Sequence, residues 1–239
     1  MRHYLTVMIT LVLVPCALAA SDVAELRETL DQRVPELLRR FGVPGVAIAL
    51  VVDGEPAGAV AYGFADLARD RPMTTSTIAR AESISKSVTA WGVMRLIEEG
   101  RLSPDDPVER YLEWSIPASE YDADGVTVGR LLSNQSGLAL GTIGPPSEYP
   151  PGVSRPSAAE FVRADAHLVM EPGSGFSYSD VGFNTLQLVV EAVTGEPFGA
   201  YMERAVLAPL GMNDSSFEWR SGYEARIATG YEMDGTPVE

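Results

Sequence analysis

A serine and a lysine placed three residues apart are the first candidates for chemistry in this sequence. Ser83 and Lys86 are the ends of the segment Ser83-Ile84-Ser85-Lys86, and residues at this spacing lie on one face of a helix. A serine hydroxyl is a poor nucleophile until a neighbouring base takes its proton. Lys86 can be that base if burial or a nearby cation keeps its amine neutral. The pattern therefore predicts an activated serine nucleophile at Ser83.

Two further features distinguish this pattern from an ordinary solvated helix start. Lys86 is the only lysine among 18 basic residues, so the chain otherwise uses arginine for positive charge. The pattern also lies at the start of a predicted helix that ends near Glu99. Ser83 is therefore at the helix N-terminus, where backbone N–H groups and the helix dipole favour a developing oxyanion. The predicted buried face of this helix consists of Ile84, Val88, Trp91, Met94 and Ile97.

A second candidate group is Tyr178-Ser179-Asp180, which follows a Pro-Gly-rich segment and opens another predicted helix. A tyrosine serves as an acid or base when a nearby cation lowers its pKa from about 10. Lys86 is a candidate for that cation, which would complete a unit of Ser83, Lys86 and Tyr178. The alternative is an aromatic packing residue followed by an N-cap Ser or Asp, and it stays open at this point.

The elements that must position these residues follow from apolar periodicity. Spacing of three and four residues predicts an amphipathic helix over 22–41, and two apolar runs around Asp53-Gly54 predict a β-hairpin with strands 45–52 and 57–64. A long surface loop is predicted over 141–156. The remaining predicted helices are 83–99, 108–112, 127–133, 158–163, 179–193, and one from Pro197 to about Val206.

Two strands alone do not make a stable sheet, so further strands must come from elsewhere in the chain. Residues 216–231 return towards strand-like composition, and only the final residues are left to extend the sheet.

Composition and charge restrict the partners. The chain has 239 residues, of which 46% are hydrophobic, and this suits one folded domain or two closely packed ones. Its formal net charge of −15 disfavours nucleic acids and anionic membranes, because both would be repelled. The sequence does not indicate an oligomeric state.

The N-terminus is typical of a secretory signal peptide. Arg2 and His3 precede an apolar run over 4–14, and Ala17-Leu18-Ala19 supplies a small-x-small cleavage site. We expect residues 1–19 to be removed, leaving a domain over 20–239 that is exported to the periplasm or the exterior. A retained membrane anchor is the alternative, although the apolar run is short for a bilayer. Cleavage would also remove Cys16, the only cysteine.

Several ordered segments resemble the class C β-lactamases and related penicillin-binding-protein-like serine hydrolases, which include esterases and D-amino-acid peptidases. Residues 79–90 resemble the nucleophile motif, residues 131–138 the L-L-x-H-x-S-G-L segment, and residues 172–184 the P-G-x-x-F-x-Y-S-N-x-G-Y-N stretch. Residues 193–195 and 207–212 also match the family in kind and order. The resemblance as a whole extends from about residue 22 to residue 231. It implies an α+β fold of the β-lactamase/transpeptidase type, with an antiparallel sheet flanked by helices and a mainly helical subdomain.

The resemblance also implies roles for individual residues. Ser83 would be the nucleophile that forms an acyl-enzyme, Lys86 its activating partner, and Tyr178 the proton shuttle to the leaving group. Asp180 would contact the substrate, although the family usually has Asn there, and an ionised carboxylate cannot donate to a substrate carbonyl. Asn134 stands where the family usually has His. The implied substrates are small-molecule or peptide acyl compounds: β-lactams, D-amino-acid peptides or esters, among which fold and nucleophile do not choose.

The family carries a third motif, H-x-G or K-x-G, well after the equivalent of Tyr231, and no such motif follows here before Glu239. We therefore expect a C-terminally truncated domain that lacks the last strands of the sheet. Two alternatives to an enzyme follow from this and from Asp180: a non-catalytic penicillin-binding or cell-wall-sensing module, and an inactive fragment.

Other enzyme classes fit the sequence less well. His167 is the only histidine after the leader, and no G-x-S-x-G segment is present, which disfavours a Ser-His-Asp hydrolase. A metal site would need several His or Cys ligands that the chain does not have. No Gly-rich phosphate loop occurs in a strand–helix context, and no cofactor is predicted.

Overall fold

The computed structural model describes residues 17–141, 156–232 and 234–238. These residues belong to two units: the first contains the chain before Arg80 and after Tyr223, and the second contains Arg80–Tyr223. The apolar run over 4–14 and nearly all of the loop predicted over 141–156 lie outside the described residues. No helix in the described ranges is long and apolar enough to cross a membrane.

The first unit contains one long helix and a small antiparallel sheet. Helix α1 spans Ala17–Phe41, and the sheet has the order β1 (Gly45–Val52), β2 (Glu55–Asp66) and β3 (Arg71–Pro72). The β1–β2 turn places both Asp53 and Gly54 at positive φ, as a two-residue hairpin turn with the twist of the strands requires. The predicted hairpin is therefore confirmed, with a second strand longer than expected.

The expectation that the final residues extend this sheet is wrong. Strands β4 (Gly230–Tyr231) and β5 (Pro237–Val238) pair with each other, and the third strand of the sheet is β3. Residues 226–229 are instead held by single contacts: Ile78 N–H donates to the Arg226 carbonyl at 3.0 Å and Thr229 N–H donates to the Ala65 carbonyl at 2.8 Å. Such isolated bonds fix the segment without forming a ladder.

The second unit is mainly helical, and every helix predicted there is confirmed within a few residues. Its core lies where α2, α5 and the chain after Pro197 meet, and includes Val93, Leu96, Leu186, Val189, Tyr201 and Met202. Its helices are α2 (Ile84–Glu98), α3 (Val128–Leu132), α4 (Ala158–Asp165), α5 (Asp180–Thr194) and α6 (Phe198–Met202), with 3₁₀ turns at Val108–Tyr111 and Ala123–Gly125 and a π-helical turn at Glu203–Leu207.

The buried face of α2 overlaps the predicted one only at Val88 and Ile97, which are partly buried against the core. The described structure buries Thr89, Gly92, Val93 and Leu96, whereas Ile84, Trp91 and Met94 are each 50% to 70% exposed. Gly92 accounts for the choice, because a Cβ there would lie 2.4 Å from Met202 Sδ. The missing side chain leaves room for the Met202 side chain against α2, and the Tyr201 hydroxyl donates to the Gly92 carbonyl at 2.8 Å. Apolar periodicity did not detect this face because α2 is apolar around most of its circumference.

The two faces of α2 give a matched pair of stability tests. Leu96→Ala should lower the free energy of unfolding by about 2–5 kcal/mol, because it leaves a cavity in a packed core. Met94→Ala removes a similar volume from the exposed face and should cost only about 0.5 kcal/mol. Urea denaturation of both variants measures the difference. Equal losses would contradict the assigned orientation of α2.

Candidate active site

The Ser83 hydroxyl receives hydrogen bonds from two of the predicted partners. Lys86 Nζ lies 3.2 Å from Ser83 Oγ, and the Tyr178 hydroxyl lies 2.8 Å from the same atom. Lys86 comes from the first turn of α2, while Tyr178 lies two residues before α5. The structure thus brings together the Ser–Lys–Tyr unit that the sequence predicts.

The start of α2 leaves the Ser83 side chain free for this role. Ser83 is the N-cap residue of α2, yet its hydroxyl makes no capping hydrogen bond. The N–H groups of Ile84, Ser85 and Lys86 donate to the carbonyls three residues earlier, at 3.0–3.1 Å. The expectation that these first-turn N–H groups face an oxyanion is therefore wrong. The N–H of Ser83 itself makes no hydrogen bond to a described residue, which makes it the candidate oxyanion donor on α2.

Lys86 forms a short ion pair with Asp180. Its Nζ lies 2.5 Å from Asp180 Oδ1, and the two side chains are only 18% and 23% exposed. Burial alone would lower the pKa of Lys86, but hydrogen bonds to Asp180 and Tyr178 outweigh burial and raise the pKa. The side chain is then an ammonium at neutral pH, so this geometry does not favour Lys86 as the neutral base.

Tyr178 is the better candidate for the base. Its pKa is lowered, first by the hydrogen bond with Lys86 and then by the one with Ser83. The Lys86 ammonium also lies 4.9 Å from the centroid of the Tyr178 ring, close enough for a cation–π attraction. A phenol with a lowered pKa, in direct contact with the serine hydroxyl, is well placed to accept its proton.

Asp180 acts on the site through Lys86. The Ser83 cavity has a volume of about 340 Å³. Its walls include Ser83, Lys86, Leu132, Asn134, Tyr178 and Phe183, and Asp180 is not among them. Asp180 is the first residue of α5, where the helix dipole stabilises a carboxylate, and its N–H donates to the Leu140 carbonyl at 2.9 Å. Its predicted contact with a substrate stays a prediction.

Asn134 is a positioning residue whose role the sequence did not reveal. Its Oδ1 accepts from the Ser179 N–H at 3.1 Å, and its backbone carbonyl accepts from the Ser177 N–H at 2.8 Å. These two bonds hold the chain on both sides of Tyr178. Asn134 has φ 54°, a left-handed conformation that asparagine tolerates better than most residues. The only sequence signal was an amide side chain at the position where the family usually has His.

Other candidate groups do not join the site. His167 is exposed, and its Nδ1 lies 2.9 Å from the Asp165 carbonyl, so it orders its own loop. Within the described part of the chain, no group of three or more His, Cys, Asp or Glu side chains could hold a metal ion.

Comparison with known proteins places this geometry in a family. Residues 30–239 match the family model described as Beta-lactamase. The chain therefore belongs to the β-lactamase family. It is 35% identical to esterase EstB of Burkholderia gladioli over 230 residues, which are 90% of this chain and 57% of the esterase. It is also 31% identical to a D-aminopeptidase of Brucella anthropi, covering 84% of this chain and 39% of that protein.

Solved structures confirm the predicted α+β fold of the β-lactamase/transpeptidase type. An octameric penicillin-binding protein homologue from Pyrococcus abyssi has a TM-score of 0.71 at 30% identity, over 88% of this chain and 49% of that one. The D-alanine carboxypeptidase AmpC from Burkholderia cenocepacia has a TM-score of 0.73 at 25% identity, over 92% and 57%. The chain spans about half the length of the relatives it matches.

Asn134→Gly tests the positioning role, since glycine keeps the left-handed backbone but removes the side-chain acceptor. We expect the rate at which a fluorophosphonate labels Ser83 to fall roughly 100-fold, because small displacements of a catalytic group cost about this much. Asn134→His should retain most of the rate, since a ring nitrogen can accept from Ser179 N–H. Labelling at the wild-type rate by the glycine variant, with normal unfolding, would refute the role.

The pH dependence of labelling follows from the two pKa shifts. The rate should rise with pH as Tyr178 loses its proton, with the midpoint of the rise below the ordinary tyrosine pKa of 10.0. No descending limb is expected below pH 10.5, because the pKa of Lys86 is raised above that value. Lys86→Met removes the cation, so the pKa of Tyr178 should rise and the ascending limb should move to higher pH. An unshifted limb in this variant would contradict the pairing.

Proposed function

We propose that this chain is a serine acyl hydrolase that works through an acyl-enzyme on Ser83. The observation that carries the proposal is the convergence of Lys86 Nζ and the Tyr178 hydroxyl on one serine oxygen, at 3.2 and 2.8 Å. A serine that only caps a helix needs neither partner. Membership of a family that contains an esterase and a D-aminopeptidase supports the same chemistry.

In the acylation step, the Tyr178 phenolate takes the hydroxyl proton of Ser83 while Ser83 Oγ attacks the acyl carbonyl carbon. The Lys86 ammonium stabilises the phenolate before the attack and remains charged throughout. Tyr178 then returns the proton to the leaving oxygen or nitrogen as its bond to carbon breaks. In deacylation a water molecule loses its proton to Tyr178 and attacks the ester, and Ser83 leaves with that proton. General base catalysis of this kind contributes about 10²–10⁴-fold.

Esters are the substrates to assay first. Among the relatives described above, the one with 35% identity is an esterase, and two others are named as a D-aminopeptidase and a D-alanine carboxypeptidase. Ester and amide bonds pass through the same acyl-enzyme. β-Lactams and peptides that contain D-amino acids are therefore the second series to assay.

Export is part of the proposal. The basic and apolar residues at the start of the chain and Ala17-Leu18-Ala19 support removal of residues 1–19 and a periplasmic or extracellular location. Helix α1 begins at Ala17, so cleavage after Ala19 would leave Ala20 in the first turn of that helix.

Intact-protein mass spectrometry with a fluorophosphonate tests the nucleophile, followed by turnover of p-nitrophenyl butyrate. We expect one adduct on the wild type, none on Ser83→Ala, and a turnover rate roughly 10²–10⁴-fold lower in Tyr178→Phe. The same spectrum shows whether residues 1–19 have been removed.

Two other outcomes would change the assignment. Stoichiometric acylation of Ser83 without turnover would favour the non-catalytic penicillin-binding module over the hydrolase. An absent adduct on protein that unfolds cooperatively would overturn both, since neither role is possible without a reactive Ser83.

A further inference from the structure

A second cavity of about 210 Å³ shares two wall residues, Lys86 and Phe183, with the Ser83 cavity. We call it the Glu82 cavity. The residues that matter for its chemistry are Glu82, Phe183, Asn184, Gln187, Phe198 and Phe217. The proposed acyl-transfer steps use none of them, so the cavity is available to recognise another part of a substrate.

Three phenylalanine rings line this cavity. Phe198 and Phe217 meet edge to face, with ring centroids 5.0 Å apart. The ring of Phe183 already lies 5.9 Å from the Lys86 ammonium. Aromatic faces attract cations, and several rings around one space are typical of sites for quaternary ammonium groups. The walls of the Glu82 cavity therefore suit a positively charged, weakly hydrated group.

The polar atoms of the cavity are also suited to a cation. Glu82 supplies a carboxylate, and Gln187 donates its Nε2–H to Glu191 Oε1 at 3.4 Å, which leaves its own carbonyl oxygen as an acceptor. The Lys86 charge is matched by Asp180 at 2.5 Å. Arg80 approaches Glu82 only to 4.0 Å, and both side chains are exposed. A solvent-exposed pair of this kind is weak, so the carboxylate remains able to bind another cation.

The backbone of Glu82 gives an independent reason to assign it a function. Its φ of 45° lies in the left-handed region, which costs a residue other than glycine about 1–2 kcal/mol. This strained residue directly precedes the nucleophile. A carboxylate kept at a position that favours glycine, beside a reactive group, motivates a functional role for that side chain.

We propose that the Glu82 cavity binds an alkylammonium group of the substrate, so that Ser83 reacts preferentially with acyl compounds that carry a positive charge. The proposal rests on the proposed acyl-enzyme chemistry for the placement of the acyl carbon at Ser83. The carboxylate and the aromatic rings select the charge, and the wall residues Lys86 and Phe183, common to both cavities, place the Glu82 cavity next to the Ser83 cavity.

The test compares two p-nitrophenyl esters of the same shape. One is the ester of γ-trimethylammoniobutyrate, and the other is its uncharged isostere, in which a quaternary carbon replaces the nitrogen. We expect the chain to favour the charged ester by roughly tenfold in kcat/KM, the size of effect that a cation–π contact and a carboxylate together provide. Equal values for the two esters would overturn the proposal.

Glu82→Gln identifies the source of the preference, because it removes the charge and leaves the backbone conformation equally strained. The ratio between the two esters should fall to about twofold or less. Phe217→Leu should also reduce the ratio, through the lost ring face. Glu120→Gln is the matched control: Glu120 is exposed and outside both cavities, so this variant changes net charge by the same amount and should keep the ratio. A preference that survives in Glu82→Gln would refute the assignment.

A binding measurement separates failure of this inference from failure of the proposed function. In Ser83→Ala, which cannot be acylated, tetramethylammonium should give saturation-transfer signals at its methyl protons. These signals should disappear in the double variant Ser83→Ala/Glu82→Gln. Binding without hydrolysis of either ester would reject the hydrolase and keep the ammonium site. Hydrolysis without charge preference or binding would reject the ammonium site alone.

Discussion

The ion pair between Lys86 and Asp180 keeps Lys86 charged and, through Lys86, lowers the pKa of Tyr178. Removing a lysine from water favours its neutral form, yet the carboxylate 2.5 Å away reverses this effect. The resulting ammonium lowers the pKa of Tyr178, and Tyr178 contacts the hydroxyl of Ser83. The pKa of Tyr178 is therefore influenced, through Lys86, by a residue that is not among the walls of the Ser83 cavity. An asparagine at position 180 would supply no charge to hold the lysine in this state.

The fold places this pair at the beginnings of two helices. Lys86 lies in the first turn of α2 and Asp180 is the first residue of α5, both within the second unit. Asn134 then fixes the short segment that carries Tyr178 towards α5. Two helix ends and one strained loop residue thus define the geometry, while the helical core behind them keeps the helices in place. Lys86, Tyr178 and Asp180 are brought together mainly by the position of their backbone, which these helix ends and Asn134 determine.

What the sequence could predict depended on how far apart the interacting residues lie along the chain. Ser83 and Lys86 are three residues apart, so helical periodicity alone predicted their contact. Tyr178 is 95 positions from Ser83, so the residues made it a candidate partner, but no local spacing predicted the contact and its role came from the family resemblance. The protonation of Lys86, the anchoring by Asn134 and the buried face of α2 all depend on long-range packing. No local pattern encodes such packing. Because α2 is apolar on most sides, the spacing of its apolar residues does not identify which face is buried.

Gly92 packs against the core and lies on α2, the helix that begins directly after Ser83, so a substitution at Gly92 bears on the geometry around Ser83. It lies eight residues after the start of α2, roughly 12 Å along the helix axis, and it has no functional group to contribute. Any larger residue there must displace the buried Met202 side chain or shift α2 itself. Because a helix moves as a stiff rod, a shift of α2 would reach Ser83 and alter its distance from Tyr178. Substitutions at this remote glycine would then be selected against as if they were changes at the candidate site itself, and a position of this kind limits which evolutionary routes remain open to the protein.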